Sequence, residues 1–368
     1  MWRNLLLAFM LIQSFTLYAE KAENYYPAGH DLIQYLGRVD DSAHDSVRYD
    51  WPGVQVRFRF TGEAIKLHFR GGERNYFDFW IDGENYGPLH AVGDTIAYIT
   101  DIEGEGPHEG VFFKRTEGEM GTTVFYGLET GSDGKLLTPP AKPGRKIEFI
   151  GNSITCGYGT EGANRHESFR PQTENAWKSW AFILGRAFDA DCHVVAHSGL
   201  GVVRNYGDSA RISQNLVPMP HRFNRALDME PSPLWDFSRW IPDVVVINLG
   251  TNDFSTRPHP YKVEFQRGYE ELLTRIRGAY GEIPVFCVVG PLTDEPCHRY
   301  VKEVVHQYNI LHNDGNVHFV GMPPALLNEA KDLGSDSHPS YRGQKKMARM
   351  MMPVIGTVTG WEAAPVEE

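Results

Sequence analysis

The sequence predicts an all-β sandwich followed by an α/β domain built on a parallel sheet. Three observations carry that expectation. From residue 30 to about residue 130, apolar and polar residues alternate with period two in short stretches separated by turn signals. Residues 131–146, "GSDGKLLTPPAKPGRK", then interrupt every period. Beyond them, continuous apolar runs alternate with stretches of helical spacing, as expected for a parallel sheet covered on both faces.

In the first part, "VQVRFRF" puts Val54, Val56, Phe58 and Phe60 on one face and Gln55, Arg57 and Arg59 on the other. "AIKLHF" repeats the period with Ile65, Leu67 and Phe69, and "YFDFWIDGENYG" carries Asp82-Gly83, a tight-turn signal. "TIAYIT", "GVFFKRT" and "TTVFYGLET" continue the pattern, which suggests a β-sandwich over residues 25–138. Pro139, Pro140, Pro143 and Gly144 make a stiff connector. The α/β domain is placed at residues 145–360. Its strands are "KIEFI", "HVVA", "DVVVINLG", "PVFCVVG" and "VHFV". Between them, Trp177, Ala181, Leu184 and Phe188 have helical spacing, as do Phe265, Tyr269, Leu272, Leu273 and Ile276. Val301, Val304, Val305, Tyr308 and Leu311 mark a further helix, and "YRGQKKMARMMM" the last.

A chain of 368 residues fits two domains, and its 41% hydrophobic and 23% charged residues are ordinary for a globular protein. The formal net charge of −11 argues against nucleic acid or anionic membrane as the main partner. Aromatic residues reach 12%, with 8 Trp and 17 Tyr, a composition common in sugar-binding proteins. "MWRN" followed by "LLLAFMLIQSFTLYA" reads as a secretion signal over residues 1–19, with cleavage after Ala19. The expected location is therefore secreted or periplasmic; an uncleaved membrane anchor is the competing reading. Cys156, Cys192, Cys287 and Cys297 allow three pairings, and the sequence does not choose among them. Cys287 sits in "VFCVVG" and reads as a buried strand residue. With no Cys-x-x-Cys pair, neither a metal nor another cofactor is expected.

Polar motifs follow the apolar strands. Ser153 comes after "KIEFI", Gly199 and Gly201 in "HSGLG" after "HVVA", Asn252 and Asp253 in "GTND" after "VVVINL", and Asp336 and His338 in "SDSHPS" after "VHFV". In a parallel sheet these turns converge on the edge where such folds bind ligands. Each has a use in acyl transfer. A serine hydroxyl needs a base, normally histidine. The tetrahedral intermediate needs preorganised donors, and the Ser153 amide, the Gly199 amide and the Asn252 side chain are three candidates. Taken singly, each motif also reads as a turn or a cap; their ordered occurrence at successive strand ends carries the chemical reading.

That joint pattern resembles the SGNH hydrolase superfamily, with blocks "GNSIT", "HSGLG", "GTND" and "SDSHPS". Two features depart from the usual blocks: Gly-Asn-Ser replaces Gly-Asp-Ser, and Asp336 lies two residues before His338 rather than three. Together with the preceding sandwich and the stretches "YDWPGVQVRFRFTG" and "KRTEG", the chain is similar to carbohydrate esterase family 2, acetyl-xylan-esterase-type enzymes with a β-jelly-roll ahead of the SGNH domain. The resemblance implies Ser153 as nucleophile and His338 as general base, with Gly199 and Asn252 completing the oxyanion hole. Gly201 is the rival for Gly199. Asp336 is expected to orient His338, the alternative being a backbone carbonyl such as that of Ser337.

The implied function is a secreted, metal-independent esterase that removes acetyl groups from plant cell-wall polysaccharide, xylan or glucomannan, or from oligosaccharides. It is expected to act as a monomer without nucleic-acid or membrane partners. The competing readings are an SGNH esterase for another acyl ester, such as an acylated sialic acid or a lipid, and a carbohydrate-binding protein with a decayed site.

Overall fold

The computed structural model describes residues 24–104 and 106–367; the expected signal, residues 1–19, lies outside the described residues. Two antiparallel sheets form the first domain. One contains Gln34–Leu36, Gln55–Phe60, Tyr76–Ile81, Glu84–Asn85, Leu89–His90, His108–Lys114 and Leu136–Leu137; the other contains Tyr25–Pro27, Val47–Tyr49, Ile65–Gly71, Gly93–Ile99 and Thr123–Thr130. The period-two pattern sets their faces: Val56, Phe58, Phe60, Ile65, Leu67 and Phe69 are fully buried, and the residues between them lie nearer solvent. Phe69 of the second sheet meets Phe77 and Phe112 of the first at 5.3 and 4.8 Å between ring centres, closing the core. Asp82 and Gly83 form the two-residue turn between paired Ile81 and Glu84.

The second domain is a parallel sheet of β1 (Arg145–Gly151), β2 (Ala190–Ala196), β3 (Val244–Asn248), β4 (Val285–Val289) and β5 (Val317–Gly321), in the order β2-β1-β3-β4-β5. Its longer helices are α1 (Trp180–Ala187), α2 (Lys262–Tyr280), α3 (Cys297–His312) and α4 (Tyr341–Thr359). The strands are apolar on both faces because both are covered. Val245 and Ile247 pack with α2 and α3 residues such as Phe265, Tyr269 and Val301. Val244 and Val246 pack with Leu184 of α1 and Met347 and Met351 of α4. Two helical expectations shift. Trp177 lies in a short 3₁₀ turn ahead of α1, and Leu311 of α3 is 72% exposed. All four cysteines are free and buried, and Cys287 lies in β4 as expected.

The two domains are joined by more than the connector. Arg38 of the sandwich reaches Glu148 on β1 at 2.7 Å, both fully buried, and also donates to the carbonyls of Phe223 and Arg225. Trp51 Nε1 donates to the Ala226 carbonyl at 3.0 Å, and the Asp50 carboxylate accepts from the amides of Asp228 and Met229. The sandwich therefore holds the long connection between β2 and β3. Removing one partner of a buried pair leaves the other charged and unpaired, which costs about 3–5 kcal/mol. Arg38→Ala should lose stability on that scale in chemical denaturation, and Arg38→Met combined with Glu148→Leu should recover most of it. A single Arg38→Ala within about 1 kcal/mol of the parent would show that the pair is not what joins the domains.

Candidate active site

Ser153 owes its position to the end of β1. Gly151 closes the strand, Asn152 takes an extended backbone, and its Oδ1 accepts from the Ile154 amide at 3.2 Å, capping a single helical turn, Ser153–Cys156. Gly157 ends that turn at φ 83°, where a side chain would also strike the Asn175 carbonyl, so the turn stops at once. The Ser153 hydroxyl, 7% exposed, lies 2.8 Å from Nε2 of His338.

The other ring nitrogen of His338, Nδ1, lies 3.2 Å from the backbone carbonyl of Asp336. That contact makes Nδ1 the protonated nitrogen and leaves Nε2 free to accept the serine proton. The expected role of the Asp336 side chain is corrected here. Its Oδ2 accepts from the Tyr158 hydroxyl at 3.0 Å and from the Phe169 amide at 3.2 Å, and the carbonyl facing His338 belongs to Asp336, not to Ser337. The physical reason is backbone conformation. Asp336 and Ser337 both take left-handed φ, 49° and 60°, which turns the 336 carbonyl onto the ring. Such residues cost about 1–2 kcal/mol each outside glycine, so the loop must be held from outside. The Asp336 amide donates to the Glu167 carbonyl at 2.9 Å and the Ser337 amide to the Arg165 carbonyl at 3.1 Å. The Tyr158 ring stacks on Phe169 at 3.8 Å and covers His338 at 4.3 Å. Burial beneath these rings pushes the pKa of His338 down to about 4, with the Asp336 carbonyl acting in the opposite direction.

Gly199 and Gly201 follow β2, beside the end of β1, since Gly151 pairs with Ala196. The Gly201 amide is engaged with Asn205 Oδ1 at 3.1 Å. No acceptor among the described residues takes the amides of Gly199 or Ser153, so these are the two donors open to a ligand. Asn252 lies in a short turn after β3, Thr251–Ser255, and one hydrogen of its Nδ2 goes to the Leu200 carbonyl at 2.8 Å, leaving the second for a ligand. Asp253 was singled out only with its neighbour, and its task is structural. Fully buried, it accepts from the amides of Val202, Val203 and Arg204, each at 2.9 Å. Burial pushes its pKa up to about 6 against the pull of those amides. Tyr158, Glu167 and Phe169 are site-supporting residues that carried no sequence signal, because their contacts are made through a loop without period. A wide crevice lined by Trp80, Trp177, Arg57 and Asp82 opens near Ala190, where β2 begins, and so at the opposite end of the sheet from Ser153.

The arrangement has a serine hydroxyl against an imidazole with one free nitrogen, and open donors at adjoining strand ends, and these groups can serve acyl transfer. Asp336→Asn should change kcat by less than about tenfold while lowering the melting temperature, whereas loss of a true triad carboxylate costs about 10⁴. A loss of that size in a variant of unchanged stability would mean the carboxylate does act on His338.

Comparisons with known proteins identify the family. Residues 35–140 match the family described as carbohydrate esterase 2 N-terminal, and residues 149–346 match the GDSL-like lipase/acylhydrolase family. The chain is 37% identical over 341 residues to the cellulase/esterase CelE of Acetivibrio thermocellus, covering 89% of this chain but only 40% of that protein. It is 34% identical over 259 residues to an acetylxylan esterase/glucomannan deacetylase of Cellvibrio japonicus, 68% of each. A family two carbohydrate esterase from Clostridium thermocellum, solved with cellohexaose, has a TM-score of 0.81 at 36% identity, covering 89% of this chain and 99% of that one. By fold, by sequence and by both of its domains, the chain belongs to carbohydrate esterase family 2.

Proposed function

We propose that the chain is a carbohydrate O-deacetylase that works through a Ser153–His338 dyad. The observation that carries this reading is the 2.8 Å contact of Ser153 Oγ with His338 Nε2, with Nδ1 already committed to the Asp336 carbonyl. The hydroxyl attacks the acetyl carbonyl, and its proton passes to Nε2. The oxyanion is met by the amides of Ser153 and Gly199 and by Asn252. Nε2 returns the proton to the departing sugar oxygen, leaving acetyl-Ser153. Water, activated by the same nitrogen, then releases acetate. A carbonyl stabilises the transient imidazolium less than a carboxylate does, so the loop geometry carries more of the orienting task.

A sugar acetate fits the surroundings. Tyr206, 64% exposed, donates its amide to the Gly199 carbonyl, and Tyr158, stacked on Phe169, lies against His338. Aromatic faces of this kind suit pyranose rings. The relatives are named for acetylxylan and glucomannan deacetylation and for cellohexaose complexes. A net charge of −11 works against anionic sugars such as sialic acid. Export by the leader, monomeric action and independence from metal belong to the same proposal. No helix among the described residues is long and apolar enough to cross a membrane.

Purified enzyme should release acetate from acetylated xylan or glucomannan and cleave 4-nitrophenyl acetate far faster than long-chain esters. Ser153→Ala should abolish both activities with an unchanged melting temperature. Preference for long-chain or sialate esters would overturn the substrate class, and turnover by folded Ser153→Ala would overturn the dyad. The pH profile gives an independent check. The base must be neutral, and its pKa is lowered to about 4, so kcat/KM should rise through about pH 4 and stay level to neutrality. A limb centred near the ordinary histidine value, about 6.5, would contradict the buried setting of His338.

A further inference from the structure

We propose that Glu117, a residue of the sandwich domain, is a positioning residue of the esterase site. It sits in "KRTEG", between the strands His108–Lys114 and Thr123–Thr130, and is fully buried against the second domain. Its carboxylate lies between two parts of the site. Oε2 accepts from the Ser198 amide at 2.5 Å, and Oε1 accepts from the Ser198 hydroxyl. Oε2 also accepts from Cys156 Sγ at 3.6 Å, on the helical turn that Ser153 begins. One carboxylate thus ties the turn bearing the nucleophile to the residue just before Gly199.

The chemistry asks for a carboxylate at this point. Two donors on Ser198 and a third on Cys156 face it, and only an acceptor-only group satisfies all three. Its own backbone is fixed in turn. The Glu117 amide donates to Glu174 Oε1 at 3.1 Å, and Lys114 Nζ donates to its carbonyl at 3.0 Å. Burial raises the pKa of Glu117, and His197, held by Asp228 at 2.5 Å, works against that rise. Gly118 presses on Asp228 so closely that a side chain there would lie 2.4 Å from its carboxylate. The domain contact is therefore tight at this point, and a displaced Glu117 has nowhere to go. Asp253 fixes the far end of the turn, at residues 202–204, and Glu117 fixes the near end, at Ser198.

The proposal rests on the reading of Gly199 and Asn252 as oxyanion donors. A shift of about 1 Å in such a donor is enough for a ~100-fold loss. Glu117→Gln, which turns one acceptor into a donor facing Ser198, should lower kcat on 4-nitrophenyl acetate about 100-fold with KM unchanged. Affinity for a trifluoromethyl ketone transition-state analogue should fall in parallel, while affinity for acetate, the product, stays the same. Ser198→Ala keeps Glu117 in place, removes one of its bonds, and should lower kcat about tenfold with KM unchanged; it decides the matter if Glu117→Gln does not fold. A folded Glu117→Gln, or Ser198→Ala, with parental kcat and analogue affinity overturns the proposal. Asn252→Ala separates the two levels. If it lowers kcat while the Glu117 and Ser198 variants do not, the proposal alone fails. If Asn252→Ala also leaves kcat unchanged, the oxyanion reading itself fails.

Discussion

Three consecutive backbone amides, those of Val202, Val203 and Arg204, converge on the buried carboxylate of Asp253. The geometry of the site depends on this contact. It ties the turn after β2 to the turn after β3, two of the three places where open donors are found. Arg204 completes the lock from the other side. Its guanidinium donates to the carbonyls of Ala210, Asn252 and Asp253, so the chain leaving the turn is also bound to it. A loop held this way needs no apolar period of its own. The enthalpy of satisfied backbone groups replaces the hydrophobic face that would otherwise fix a segment in place.

This division between periodic and clamped segments decides what could be read from the residues. The five strands were legible because burial on both faces makes them apolar throughout, and α2 because Phe265, Tyr269, Leu272, Leu273 and Ile276 fall on one face. The positions of Ser153, Gly199, Asn252 and His338 were legible because they end strands whose direction the fold dictates. The choice of Gly199 over Gly201 was not legible, since it turns on one bond from Asn205. The share of Asp336 in the site was misread for a related reason. Proximity in sequence suggested a side-chain contact, but two left-handed residues in succession rotate the carbonyl, and not the carboxylate, toward the imidazole. Nothing in "SDSHPS" announces those angles, because they are imposed by Arg165 and Glu167 from another loop. The contact of Glu117 with Ser198 spans 81 positions and crosses a domain boundary, so no local pattern contains it.

Acids recur around the site with different tasks. Asp253 and Glu117 accept from backbone amides, whereas Asp336 braces a tyrosine and a loop amide. None of these carboxylates touches the Ser153 hydroxyl. The proposed dyad is surrounded by groups that set its shape and is itself left with only a carbonyl behind the imidazole. Desolvation of His338 beside Tyr158 keeps that imidazole neutral, so its fitness for the proposed role of base is set by packing more than by a neighbouring charge.

Gly53 has no room for a side chain, because a Cβ there would lie 2.1 Å from the ring of Phe182 on α1. Together with Arg38 on Glu148 and Trp51 on Ala226, it joins the halves by close contacts at several points of the seam. Domains that meet only through a flexible linker share little surface and can be exchanged between partners. This β-fold cannot be traded in that manner. Grafting it onto another hydrolase, or trimming it away, would expose charged groups and aromatic rings that only its own neighbour accommodates. Recombination can therefore move the pair only as one block, and mutations on either side of the seam must be accepted in concert.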